Sequence, residues 1–118
     1  MAAGAVSNIQ PLPHQLEAVY GELLTTLSDD AAVFRLSENQ VLVQTVDYMP
    51  ALVSDPSLFG RIATIHGLSD LFAMGAAPHS ALAAALVPFA AEEVTEETLY
   101  QLLSGVLREL SAAGAVLA

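Results

Sequence analysis

The hydrophobic and polar positions of the chain first repeat with a helical period. From Pro13 to Leu27 the apolar residues recur every three or four positions, which predicts a short amphipathic helix. These residues are Leu16, Val19, Leu23, Leu24 and Leu27. Residues 1–12 are small and polar and are interrupted by proline, so we expect a flexible arm or an edge segment there. Residues 13–118 are then expected to form one domain.

The next two apolar segments have the length and β-branched content of strands. Residues 31–36 and 41–46 are separated by the polar segment 37–40, which predicts a β-hairpin. Asp30 enters the first strand and Asp47 leaves the second. Antiparallel neighbours bring the start of one strand close to the end of the next. We therefore expect Asp30 and Asp47 at the same edge of the sheet.

A long helix follows the hairpin. Asp55 is a favourable N-cap, Pro56 suits the first helical position, and the helix is predicted to run to about Met74. Gly75 is predicted to end it in the left-handed conformation. Apolar residues lie on nearly every face, which predicts a helix that is buried on most sides.

Asp70 is an unexpected residue within that helix. It lies in the last turns, where the helix dipole disfavours an anion, so a positive partner is expected. The partner is either a cation or one of two side chains, Arg61 and His66. Arg61 is expected to brace a carboxylate or a carbonyl, and His66 to be neutral and hydrogen-bonded. For Asp30 and Asp47 the residues alone favour turn capping at a strand end.

The C-terminal third is predicted to be a strand, a helix and the start of another strand. Residues 80–87 are apolar and bounded by Pro78 and Pro88, which limits them to strand length. Thr95 is predicted to cap an amphipathic helix that ends at Gly114. Its inward residues are predicted to be Leu99, Leu102, Leu103, Val106, Leu107 and Leu110. The last four residues resemble the start of a strand, so we expect an incomplete unit. The whole pattern predicts an α+β fold, with a mixed or antiparallel sheet packed against helices.

The composition indicates which kinds of binding partner the chain can have. The chain has 118 residues, 54% of them hydrophobic, and an excess of this kind is expected to be buried against a partner domain or subunit. Thirteen acidic residues stand against three arginines and no lysine, which argues against a nucleic-acid or anionic membrane surface. A phosphate ligand would need backbone amides and metal ions for its positive charge. Cysteine is absent and the N-terminus does not match a signal peptide, so we expect a cytoplasmic location.

Four segments, in order, resemble the N-terminal half of the selenide, water dikinases, also called selenophosphate synthetases. The segments are residues 29–33, 44–50, 55–63 and 68–78. More distantly they resemble the aminoimidazole ribonucleotide synthetase-like superfamily. The resemblance implies a homodimer formed through the sheet and a site for ATP and Mg²⁺. It further implies that Asp30 and Asp70 are magnesium ligands and that Asp47 lies in the nucleotide and metal site.

The chain also departs from that family. The dikinases carry a reactive cysteine or selenocysteine and a lysine, where this chain has Ser7 and Gln10. His66 replaces an asparagine that is common in the family. The glycine-rich segment and the C-terminal half of the family, which supplies another metal ligand, would follow Ala118. We therefore assign no catalytic residue and expect no turnover by this chain alone. The alternatives are a degenerate dimerisation or nucleotide-binding module, with or without a fused partner, and a relative that phosphorylates another small molecule.

Overall fold

The computed structural model describes residues 2–4 and 31–118, and these residues form an α+β fold. Its strands and helices are β1 (Ala2–Gly4), β2 (Ala32–Ser37), β3 (Gln40–Gln44), β4 (Asp47–Tyr48), α1 (Pro56–Ala73), β5 (Ser80–Ala84), α2 (Glu92–Ala112) and β6 (Val116–Leu117). None of the helices in these ranges is long and apolar enough to cross a membrane. The predicted helix between Pro13 and Leu27 lies outside the described residues.

The strands form two sheets. In the larger one the order is β4-β1-β5-β6, with β1 antiparallel to both neighbours and β5 parallel to β6. The smaller sheet is the predicted hairpin, in which Ala32 pairs with Gln44 and β2 is antiparallel to β3. The start of β2 therefore lies beside the end of β3, three residues before Asp47.

Residues 2–4 differ from the expected flexible arm. Their strand pairs on both sides, with Ala3 opposite Asp47 in β4 and Ala83 in β5. The remainder of the arm, residues 5–12, lies outside the described residues.

Local chemistry determines both ends of α1. The Asp55 carboxylate accepts hydrogen bonds from the amides of Ser57 and Leu58 at 2.9 and 3.1 Å, and Pro56 occupies the first turn. At the other end Gly75 has a φ of 71°, a conformation that favours glycine. The predicted boundaries of α1 are confirmed.

The surroundings of α1 differ from the prediction. One face is buried, but Leu58, Ile65 and Phe72, which repeat every seven residues, are exposed in the structure. Apolar residues lie on nearly every face of the helix, but only one face meets other described elements. The expectation of burial on most sides is therefore wrong for the described residues.

The second helix begins earlier than predicted. Thr95 is not its cap, because the Thr95 amide already donates to the Ala91 carbonyl within the first turn. Glu92 and Glu93 occupy that turn and favour the helix dipole without a side-chain cap. Leu107 was predicted to face inward and is 46% exposed. The end of the helix is as predicted, with Gly114 at a φ of 75°.

Helices α1 and α2 cross in very close contact at two glycines. A Cβ atom at Gly60 would collide with the Leu102 carbonyl oxygen, and one at Gly105 would collide with the Ser57 carbonyl oxygen. The crossing is also linked by Arg61, whose Nε donates to Glu109 at 2.6 Å.

The core lies between this helix pair and the larger sheet. Its main cluster contains Leu68, Leu71, Ala81, Val106, Leu110 and Ala115, and a second contains Phe59, Ala63 and Leu102. One face of the sheet therefore packs against the helices, and the other face points away from them.

Candidate functional site

Two of the predicted aspartates converge at the edge of the larger sheet. Asp47 begins β4, and Asp70 lies in the last turn of α1, whose buried face packs on the sheet. The two carboxyl groups are close enough for a hydrogen bond between them when one is protonated. When both are ionised neither can donate, and Oδ2 of Asp47 is then a buried oxygen with no partner.

Strand alternation explains why Asp47 faces the helix. Val46 and Tyr48 are 74% and 67% exposed, whereas Thr45 is only 8% exposed and Asp47 is half-buried. In an extended segment, residues two apart lie on the same side. Thr45 and Asp47 therefore both point toward α1.

Thr45 links the strand to the helix. Its Oγ1 donates a hydrogen bond to Oδ2 of Asp70 at 3.3 Å. The sequence interpretation missed this residue. The signal that could have found it was a threonine two positions before an aspartate, which places two polar side chains on one side of an extended segment.

The electrostatics of the pair are unfavourable without a cation. Burial raises the pKa of Asp47, and the hydrogen bond to Asp70 and its negative charge raise it further. A positive charge on His66 acts in the opposite direction. His66 is exposed and lies one helical turn before Asp70, so solvent screens its charge.

Arg61 and His66, the two side chains predicted as possible partners of Asp70, do not form its observed contacts. Arg61 forms its ion pair with Glu109, which confirms that it braces a carboxylate and leaves Asp70 to Thr45 and Asp47. Asp70 therefore has a second carboxylate, that of Asp47, beside it at the end of α1, where the helix dipole already disfavours a negative charge.

The residues present fit a hard divalent cation. Two carboxylates within reach of one another, one with an unpartnered buried oxygen, supply the oxygen ligands that Mg²⁺ prefers. Within residues 2–4 and 31–118, no group of three or more His, Cys, Asp or Glu side chains could hold a metal. Asp30, the third predicted ligand, lies outside the described residues, as do Ser7 and Gln10.

The outward face of the larger sheet is the second notable surface. Tyr48, Leu82 and Val116 lie on the side opposite the core and are 67%, 44% and 60% exposed. Strand pairing places Tyr48 and Ala84 opposite Ala2, and Leu82 opposite Gly4. We call the surface made by Tyr48, Leu82, Ala84 and Val116 the outer sheet face.

Comparison with known proteins identifies the domain. Residues 28–118 match the family model described as AIR synthase related protein, N-terminal domain. This range contains Thr45, Asp47 and Asp70, both helices and strands β2 to β6.

Curated relatives share the same region. The chain is 41% identical over 90 residues to a selenide, water dikinase of Pelobacter propionicus, covering 76% of this chain and 25% of the relative. It is 43% identical over 90 residues to the selenide, water dikinase of Desulfitobacterium hafniense, covering 76% and 26%. The corresponding protein of Caldanaerobacter subterraneus is 48% identical over 88 residues, covering 72% and 26%.

The chain thus spans about a quarter of the length of these relatives. Both the family model and the relatives match the part that contains the carboxylate pair. The chain belongs to the AIR synthase related protein family, and the part that matches is the N-terminal domain of that family.

Proposed function

We propose that this chain is the Mg-ATP-binding and dimerising domain of a selenide, water dikinase-like protein. The observation that carries the proposal is the pair Asp47 and Asp70, which converge with a buried, unpartnered oxygen between the sheet and α1. The similarity to selenide, water dikinases supports the same assignment. In the longer protein, the activity would be the ATP-dependent conversion of selenide to selenophosphate.

The residues of this chain have limited roles in that proposal. Asp47 and Asp70 hold the cation, with Asp30 as a further ligand, and the cation in turn neutralises the nucleotide phosphates. This explains how a chain of net charge −10 binds a polyanion. Bound Mg²⁺ supplies charge neutralisation during phosphoryl transfer.

A non-catalytic module is the second candidate, and one observation favours it. The chain contains neither cysteine nor lysine, the two residue types in which it departs from the dikinases that it resembles. Such a module would keep the fold and the dimer surface and bind the nucleotide weakly at most.

Isothermal titration calorimetry with ATP and Mg²⁺ separates the two candidates. We expect the wild type to bind ATP only when Mg²⁺ is present, and Asp70→Asn to bind at least ~10-fold more weakly, since loss of even an outer-shell partner costs about that much affinity. Asp55→Asn is the matched control, because it removes the same charge from an exposed cap that asparagine also satisfies. Equal heats for wild type and Asp70→Asn, or no heat for either, would favour the non-catalytic module.

We also propose a homodimer through the outer sheet face. Apolar side chains that stand in a row on an uncovered sheet are typical of interfaces. The cytoplasm is the compartment we propose for the dimer.

Sedimentation velocity over a range of protein concentrations tests the dimer, at about 0.15 M salt to screen the net charge. The wild type is expected to sediment as a dimer and Leu82→Glu as a monomer. Tyr100→Glu is the control, because Tyr100 is 71% exposed on α2, outside this face. A monomeric wild type, or a Leu82→Glu dimer as tight as the wild type, contradicts the proposal.

A further inference from the structure

The hydrogen bond between Thr45 and Asp70 joins two parts of the chain that are 25 residues apart. Thr45 follows β3 and precedes β4, so its backbone lies in the short link between the two sheets. Its side chain is 8% exposed. A buried hydroxyl without a partner is costly, and the partner that the fold provides is one oxygen of Asp70.

That contact restrains the Asp70 carboxylate. The group lies at the C-terminal end of α1 beside Asp47, so both the helix dipole and the neighbouring charge favour its rotation toward solvent. The Thr45 hydroxyl opposes the rotation by holding Oδ2. At 3.3 Å the contact is longer than the usual O–H···O range of about 2.5–3.0 Å, so Thr45 restrains the carboxylate without holding it rigidly.

We propose that Thr45 is a positioning residue for the cation site, holding Asp70 so that its carboxylate and that of Asp47 face the same ion. The inference rests on the proposed function, because it concerns the cation that Asp47 and Asp70 would bind. Thr45 acts through Asp70, in the way that outer-shell donors orient metal ligands in other proteins.

The register supports this role. Thr45 and Asp47 are two residues apart on the same side of an extended segment, while the side chains between and after them point outward. One extended segment therefore provides both a ligand, Asp47, and the donor that orients the second ligand, Asp70. Neither contact requires a residue outside the described part of the chain.

Mn²⁺ binding to the purified chain tests the inference, measured without nucleotide from the electron paramagnetic resonance signal of free Mn²⁺. Thr45→Val keeps the side-chain shape and removes the hydroxyl, and we expect it to weaken Mn²⁺ binding about 10-fold. Thr45→Ser restores the hydroxyl and is expected to bind within about twofold of the wild type, a small fraction of the loss that an outer-shell donor causes.

Thr64→Val is the matched control. Thr64 is also buried, but its hydroxyl donates to the Gly60 carbonyl within α1 at 2.8 Å and does not touch the carboxylates. A general effect of removing a buried hydroxyl would weaken Mn²⁺ binding equally in Thr64→Val and Thr45→Val, which would overturn the positioning role. Should Thr45→Val fail to fold by circular dichroism, Thr45→Ala replaces it.

The outcomes distinguish the role of Thr45 from the existence of the cation site. Binding by the wild type together with equal binding by the folded Thr45 variant overturns the role of Thr45 and leaves the cation site in place. Failure of Thr45→Ser to recover affinity also overturns it. A folded wild type that binds no Mn²⁺ overturns the proposed function, and the role of Thr45 with it.

Discussion

At the scale of single residues, the direction in which each side chain faces determines the site. The sequence could predict that Asp70 was unusual, because a carboxylate in the last turns of an apolar helix is disfavoured by the helix dipole. It could not predict that Arg61 pairs with Glu109, 48 residues away, or that Thr45 binds Asp70. Those choices depend on how α1 lies on the sheet and across α2.

The raised pKa of Asp47 predicts how stability changes with pH in metal-free protein. The folded state binds the Asp47 proton more tightly than the unfolded chain does, because burial and Asp70 disfavour the ionised form. The contribution of Asp47 to stability is therefore full below the ordinary carboxyl pKa, about 3.9, and is lost as pH rises through the raised pKa.

Asp47→Asn removes the ionisable group and with it the loss of stability at higher pH. At pH 7 in EDTA we expect a melting temperature a few degrees above that of the wild type, measured by differential scanning calorimetry, with the difference narrowing toward pH 4. Asp55→Asn, which removes an exposed charge and retains the cap, should show no such pH-dependent gain. A wild type more stable than Asp47→Asn at pH 7 without metal would contradict the electrostatic account.

At the scale of elements, helix ends with a local stereochemical cause were predictable. Asp55 with Pro56 and the positive-φ Gly75 and Gly114 mark ends that follow from the sequence alone. The start of α2 was not predictable in this way, because Thr95 is a good cap residue that happens to lie inside the first turn. The helix begins before Thr95, at Glu92, where two glutamates in the first turn interact favourably with the helix dipole.

The contact between α1 and α2 gives an element-scale prediction. Gly105→Ala places a methyl group against the Ser57 carbonyl, so the helices must separate. We expect a loss of about 1–3 kcal/mol in the free energy of unfolding, or more, measured by urea denaturation. Ser104→Ala, one position earlier on the same helix, should change stability by less than about 0.5 kcal/mol. A Gly105→Ala protein as stable as the wild type would show that the helices do not cross this closely.

At the scale of the whole molecule, fold class was predictable and sheet order was not. Alternating apolar segments indicated an α+β fold, and the structure and the family model confirm it. The strand between β4 and β5 consists only of Ala2–Gly4, three small residues with no strand pattern. Its place depends on long-range pairing, which the local sequence does not encode.

Part of the apolar excess lies on one exposed face of the larger sheet. Hydrophobic residues make up 54% of the sequence, and the outer sheet face exposes Tyr48, Leu82 and Val116 while the core side of the sheet is covered. A second copy of the sheet is the partner that we propose for this face.

The most direct test of the account is an anomalous difference map from a crystal of this chain soaked in Mn²⁺. The account predicts a peak about 2.0–2.4 Å from carboxylate oxygens of both Asp47 and Asp70, the distance range of hard divalent cations. Mn²⁺ bound only at surface glutamates such as Glu96 and Glu97, with the two aspartates unliganded, would contradict it.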